Sequence, residues 1–433
     1  MSDTDRVSAT ERLGTEEVAR RLGVKRETVY AYVSRGLLAR HQSSGPHRSE
    51  FDPDEVERLA VRARRPDRSS ALEVVVETEL TLLEPEGRLS YRGRDAIELA
   101  RFRSFEEVVA LLWDGAPPTP WALDGERAAA IEALGAALGP EAPDAERIAA
   151  VVATSAARDP ERASRDPDSV RRAGASVFPA ILATLECGRP ALTPAERGRP
   201  ASRIGSPKST APAAGLRKST AVGGGADGIA ARLWAALADG DSKPRPEQVA
   251  TLNAALILLA DHELAASTFA ARVAASAWAG PYRVILAGLG PLGGALHGGA
   301  GLEVEALLDE VAAGADPGAA LDSRAASGGL PGFGHRVYRD RDPRADHLLD
   351  RLGVGAAAQA VLEAAAAREL PAPNVDFALA VLVREHGLRD GASATIFTIA
   401  RIAGIVAHAL EEYEHRLRFR PRASFVGPAP PGP

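Results

Sequence analysis

The stretch "GFGHRVYRDRDPR", residues 332–344, places four arginines and one histidine in thirteen positions of a chain whose formal net charge is −6. An exposed helical face would carry such charge at little cost. The glycines at 332 and 334 argue against a plain helix, because glycine costs about 1 kcal/mol per helical position relative to alanine. Pro343 pushes the residue before it out of helical geometry. The stretch therefore reads as a loop running into a helix, with side chains aimed at something rather than spread over a surface.

At 433 residues the chain is too long for one ordinary core, and two or three domains are expected. Hydrophobic residues at 45% and charged residues at 25% are ordinary for a soluble globular protein. Cys187 is the single cysteine, so there is no internal disulfide framework; a reducing, cytoplasmic location is expected. "MSDTDRVSATERLG" shows no apolar run after a basic start, hence no secretory signal is read, and no stretch approaches the roughly 20 apolar residues that span a bilayer. No membrane partner is expected. The acidic balance gives no whole-chain case for nucleic acid.

Residues 1–68 read as a separate module. "GTEEVARRLGVKRETVYAYVSRGLL" patterns as a helix opened by Thr15, a turn at Leu22-Gly23-Val24 and a second helix to about Arg35, with Val18, Leu22, Val24 and Val29 on a shared apolar face. It resembles the helix-turn-helix of MerR-like and excisionase-like DNA-binding modules. The resemblance implies that Lys25, Arg26, Thr28 and Tyr30 face a major groove. "ARHQSSGPHRSEFDPDEVERLA" then supplies a wing and a helix starting at Asp52 or Pro53. Residues 1–68 carry 14 basic and 12 acidic residues, a formal +2, which is a weak basic face for a DNA binder. DNA is a candidate partner through this module alone.

From about residue 71 the pattern is helical. A hairpin is expected within "LEVVVETELTLLEPEGRLSYRG", turning at Pro-Glu-Gly. Long Ala- and Leu-rich helical runs follow: "DAIELARFRSFEEVVALLW", "QVATLNAALILLADHELAASTFAARVAASA" and "ATIFTIARIAGIVAHALEEYEHRL". Strands do not alternate with helices, so the expected class is all-α rather than a doubly wound sheet. Residues 198–228 hold one acidic residue and few large apolar ones, and read as a mobile surface insertion.

Three of the nine histidines sit in marked contexts: His262 in "LADHELAAS", His297 in "GGALHGGAG" and His335 in the opening stretch. Asp376 in "PAPNVDFALAVL" lies between a proline-rich lead-in and an apolar helix. No HxxxH or HxH spacing joins these histidines, so no metal is expected. There is no GxSxG and no GxxxxGK[ST]. Acid–base chemistry by His and Asp remains, with arginines to hold carboxylates.

"LHGGAGLEVEALL", "GFGHRVYRDRDPRA" and "PNVDF" resemble the three signature blocks of the citrate synthase family, in the family's order and spacing, and the likeness extends over roughly 71–427. The resemblance implies a large helical domain, residues 71–297 and 382–433, with a small domain inserted at 298–381. It implies condensation of acetyl-CoA with oxaloacetate to citrate and CoA through an enol, with no cofactor beyond the CoA thioester substrate. Asp376 matches the base that takes the methyl proton, His297 the donor to the thioester oxygen and His335 the group that polarises the ketone. His262, Arg344 and Arg401 match oxaloacetate contacts. Arg420 in "RPR" matches an arginine supplied by the neighbouring subunit, which implies a homodimer. Arg339 matches a cation for CoA phosphate. Arg336 and Arg341 have no assigned task and read as loop charge paired with Asp340 or Asp342.

Ala265 and Ala266 follow Leu264 where many relatives have "DHEXNAS", Gly301 stands where an asparagine is common, and Ala295 precedes Leu296 in place of "GPLHGG". These departures leave the acyl group open. Propionyl-CoA, giving 2-methylcitrate, is one alternative; a DNA-binding regulator that uses the domain to sense a metabolite is the other.

Overall fold

The computed structural model describes residues 12–22, 29, 33, 38, 41–42, 49–53, 56, 75–115, 121, 123–187, 228–239, 243–294, 297–326, 329–415 and 417–421. The chain divides into two compact units, Met1–Glu77 and Thr78–Pro433.

In the first unit, α1 (Thr15–Leu22) opens with Glu16 and Glu17 and closes with Arg20 and Arg21, charges that suit the two ends of the helix dipole. Three short strands, β1 (Leu13–Gly14), β2 (His41–Gln42) and β3 (Ser49–Phe51), pair antiparallel in the order β1-β3-β2. The β2–β3 pair stands where the wing was expected. Val18, Ala19, Val29, Leu38, Phe51 and Val56 form the core. Lys25, Arg26, Thr28 and Tyr30 lie outside the described residues, as does nearly all of 198–228.

Among its described residues the second unit is helical apart from one hairpin, in which β4 (Thr81–Glu84) pairs with β5 (Arg88–Tyr91) and β6 (Arg94–Asp95) adds an edge. The turn is Pro85-Glu86-Gly87, with Gly87 N–H donating to Glu84 O. The run expected as one helix after it is two, α2 (Ala96–Phe102) and α3 (Phe105–Leu112), because Ser104 and Glu107 form a capping box that restarts the helix. Then follow α4 (Gly125–Leu138), α5 (Asp144–Arg158), α6 (Pro167–Cys187), α7 (Ile229–Leu237), α8 (Pro246–Leu259), α9 (Ala266–Ser276), α10 (Pro281–Leu292), α11 (Ala300–Ala312), α12 (Pro317–Ala326), α13 (Pro343–Leu352), α14 (Ala356–Ala366), α15 (Val375–His386) and α16 (Ala392–His415). The fold is all-α, as the sequence pattern predicts.

Two hydrophobic clusters organise these helices. The larger is built around α8, α6 and α16; the smaller gathers Val304, Leu307, Leu321, Phe333, Val361, Phe377 and Val381. Helix α15 is buried on both sides, with Phe377 and Val381 in the smaller cluster and Ala378, Leu379 and Leu382 in the larger. By length and composition α16 is apolar enough to cross a membrane, contrary to the expectation that no stretch approaches this. Its apolar window is 89% buried inside the protein, so it is a core helix.

Candidate active site

The opening stretch is a loop running into a helix. Gly332 has φ +86°, a conformation that favours glycine, and a Cβ there would come 2.7 Å from Val304 Cγ2. Asp342 is extended and caps α13, with Pro343 in the first turn. Asn374 binds this loop to α15. Its backbone N–H donates to Gly332 O, its Nδ2 to Gly334 O, and its Oδ1 caps the helix by accepting from Asp376 and Phe377 N–H. The "GFGH" and "PNVDF" blocks are thereby one unit, and Asp376 sits in the first turn of α15.

His262, His297, His335, Arg344, Asp376 and Arg401, far apart in the chain, line one cleft of about 1130 Å³. His262 and His335 meet edge to face with ring centroids 5.1 Å apart. His297 meets the Phe397 ring at 5.6 Å, and Arg401 lies over the same ring at 4.9 Å. Two predicted residues lie elsewhere. Arg339 is exposed, 3.8 Å from Glu86. Arg420 is exposed in residues 417–421 and does not line this chain's cleft.

The hydrogen bonds assign the roles open to each ring. His335 Nδ1 accepts from Val337 N–H at 3.0 Å and Tyr338 N–H at 3.1 Å. Backbone amides only donate, so Nδ1 carries the lone pair and Nε2–H is the donor left to face the cleft. Burial first, then the nearby Arg344 charge, pushes the His335 pKa down to about 4, so the ring is neutral at physiological pH. His297 is held at about 4 by burial and Arg401. Its Nε2 lies 2.8 Å from Ser267 Oγ. When that hydroxyl donates, Nδ1–H becomes the ring's outward donor. Both rings are thus neutral donors.

Asp376 is the opposite case. Burial, reinforced by the Asp342 charge and opposed by Arg344 and Arg401, raises its pKa to about 6. A carboxylate that holds its proton this well is a stronger base than an exposed one, yet it is ionised at neutral pH.

The two arginines differ. Arg344 forks onto Asp342 with Nε and NH2 at 2.9 and 2.8 Å, both residues 2% exposed, and Asp342 also accepts from Val375 N–H. This corrects the reading that gave Asp342 to Arg336 or Arg341; Arg341 pairs instead with Asp346. Asp342 caps the helix on which Arg344 sits at the second position, so the fork is local. Arg401 is 1% exposed, donates Nε–H to Leu259 O, and among the described residues its buried NH1 has no partner. His262 Nε2 is likewise buried and without a partner. Orphaned buried polar atoms of this kind are rare in folded proteins, and these two line the cleft where a polar ligand would sit.

Ser267 was missed in the sequence, although it stands at the serine that ends the "DHEXNAS" pattern; its hydrogen bond to His297 reveals its place in the site. Among the described residues, no group of three or more His, Cys, Asp or Glu suits a metal ion.

The family model described as "Citrate synthase, C-terminal domain" matches residues 71–422, most of the chain. The chain belongs to the citrate synthase family. A Haloferax volcanii citrate synthase is 31% identical over 376 residues, covering 82% of this chain and 94% of that protein. Citrate synthase 2 of Bacillus subtilis is 39% identical over 201 residues, a match spanning only 53% of that protein. The Thermoplasma acidophilum citrate synthase, solved as a ternary complex with carboxymethyl coenzyme A and oxaloacetate, superposes with a TM-score of 0.63 at 26% identity, over 83% of this chain and 95% of that one. The Thermotoga maritima citrate synthase gives 0.59 at the same identity, over 82% and 94%. Residues 15–63 match the MerR HTH family regulatory protein model, so this citrate synthase family chain carries a helix-turn-helix module as expected.

Proposed function

We propose that the chain condenses an acyl-CoA with oxaloacetate, acetyl-CoA giving citrate and CoA. The observation that carries this reading is one cleft holding a basic carboxylate, two neutral imidazole donors and a buried arginine with an unpaired NH1. The Asp376 carboxylate takes a proton from the acyl carbon next to the thioester while His297 donates to the thioester oxygen as it gains charge. The enol carbon then attacks the ketone carbon of oxaloacetate. The ketone oxygen, held by His335 Nε2–H, ends as the hydroxyl of the product. Water cleaves the thioester and releases CoA. Arg401, Arg344 and His262 hold the oxaloacetate carboxylates; oxaloacetate is one of the two ligands of the Thermoplasma structure. Arg420, exposed here, fits a site completed by a second copy of the chain, and Arg339 fits the CoA phosphates.

The test is CoA release from acetyl-CoA and propionyl-CoA in parallel with oxaloacetate. Release with either supports the enzyme; silence from protein that still binds oxaloacetate overturns it. Propionyl-CoA is the second reading, because Ala265, Ala266 and Ala300 leave small side chains along the cleft wall. One methylene changes kcat/KM by about 10- to 200-fold, so the ratio of the two substrates decides.

Ser267→Ala frees His297 to adopt either tautomer. Its kcat is expected to fall about tenfold, the worth of one hydrogen bond to a group that gains charge, with the KM for oxaloacetate unchanged. A rise in that KM with kcat intact would assign Ser267 to oxaloacetate instead. The match at 15–63 favours a further role in binding DNA. Arg26→Ala should then weaken retardation of a specific DNA fragment, and no retardation by the unmutated chain removes that role.

A further inference from the structure

The helix that supplies Arg401 carries a second set of polar residues along the same stripe. Gly404, His408, Glu411, Glu412 and His415 follow Arg401 at helical spacing on α16. Each of the three residues ahead of His262 is bonded to one member of this stripe. Leu259 O accepts from Arg401 Nε at 3.0 Å, Ala260 O from Gly404 N–H at 2.9 Å, and Asp261 Oδ2 lies 3.3 Å from His408 Nε2. Only glycine at 404 permits this approach, since a Cβ there would stand 2.2 Å from Asp261 Oδ1.

The direction of the network is set from its far end. Arg272, 0% exposed on α9, donates Nε–H to Glu412 and NH1–H to His408 Nδ1 at 3.2 Å. A guanidinium only donates, so Nδ1 accepts and Nε2–H points at Asp261. Asp261 Oδ2 also accepts from Thr81 Oγ1 at 2.5 Å and from Glu263 N–H at 3.1 Å. Glu263 has φ +54°, a left-handed conformation that non-glycine residues adopt rarely and that here closes the turn. His262, between Asp261 and Glu263, faces the cleft with Nε2 unpartnered.

We infer that His408, oriented by Arg272, is a positioning residue for oxaloacetate binding: through Asp261 it holds the left-handed turn that aims His262 into the cleft. His408 touches no cleft atom itself and does not line the cavity. The inference rests on the reading of His262 as an oxaloacetate contact.

The experiment uses the full chain as His408→Leu, His408→Gln and the milder Thr81→Val. His408→Leu is expected to raise the oxaloacetate KM about tenfold, the loss of one hydrogen bond to a charged group, while the KM for the acyl-CoA stays near wild type. His408→Gln restores an N–H toward Asp261 and is expected to recover most of that loss; Thr81→Val moves the same constant in the same direction by less. Equal rises in both KM values, or a His408→Gln variant no better than His408→Leu, would reduce the network to general packing and overturn the inference. Calorimetry with oxaloacetate separates the two readings. A wild-type chain that binds oxaloacetate without turnover removes the enzyme reading, and the affinities of the variants still test the positioning. A wild-type chain that binds none removes the role of His262, and the inference with it.

Discussion

Asp376→Asn is expected to lower kcat for CoA release by about 1,000- to 10,000-fold, the upper part of what a positioned general base contributes. The same substitution is expected to make the protein more stable at neutral pH. The sign follows from the direction of the shift. The folded-state pKa is raised from 3.8 to about 6, so the folded protein holds the proton more tightly than the unfolded chain. Below the ordinary carboxyl range the group is neutral in both states and Asn changes little. As pH rises through about 6, ionising Asp376 costs the folded state on the order of 3 kcal/mol, and neutral Asn does not incur that cost. Denaturant midpoints for the two proteins should therefore coincide near pH 4 and diverge by pH 7.5, with the variant higher. In the unmutated enzyme, kcat/KM for the acyl-CoA should climb through about pH 6 and level off, because the base acts only when ionised. A variant that keeps its rate would remove Asp376 as the base; one that loses rate without gaining stability would place its perturbation elsewhere.

The residues proposed to carry this chemistry were legible chiefly through the family resemblance of the blocks that hold them, and each also has a local feature beside it. Asp376 follows the capping Asn374, His335 lies between Gly334 and a proline-ended loop, and Arg344 follows Asp342-Pro343. What was not legible depends on contacts made across the chain. The run "QVATLNAALILLADHELAASTFAARVAASA" keeps a helical pattern throughout, yet it breaks between α8 and α9. No glycine or proline marks the break. Bonds from Arg401, Gly404 and His408, about 140 residues away, hold it. Arg272, which no local signal singles out on its alanine-rich helix, is wholly buried, because its ionic partners Glu411 and Glu412 lie on α16. Asp342 was assigned to the wrong arginine for a related reason. Proximity in sequence offered Arg336 and Arg341, and the cap geometry at the start of α13 selects Arg344 instead.

Arg344 and Arg401 are both buried arginines in the cleft, and their substitutions are expected to fail in different ways. Arg344 already has a partner. Removing its charge as Arg344→Gln strands Asp342 at 1% side-chain exposure, and losing one member of a buried pair costs about 3–5 kcal/mol. Its main effect should be a lower melting temperature, with weaker oxaloacetate binding alongside. Arg401 has no carboxylate fork of its own. Burial lowers its pKa against the support of the Asp261 charge, and among the described residues its NH1 has no hydrogen-bond partner. Arg401→Gln removes a buried cation that faces the Asp261 and Asp376 charges without forking onto either, so it should cost less stability than Arg344→Gln. Oxaloacetate affinity should fall by about 100- to 1,000-fold, the range for truncating one side of a desolvated charged contact. Arg401→Lys keeps the charge but not the planar fork or its stacking on Phe397, and should recover only part of that affinity. Calorimetric titration with oxaloacetate and thermal melts on the three proteins check the contrast. If Arg401→Gln binds within threefold of wild type while Arg344→Gln melts normally, the assignment of these two guanidinia is reversed, and Arg344 is the residue waiting for substrate.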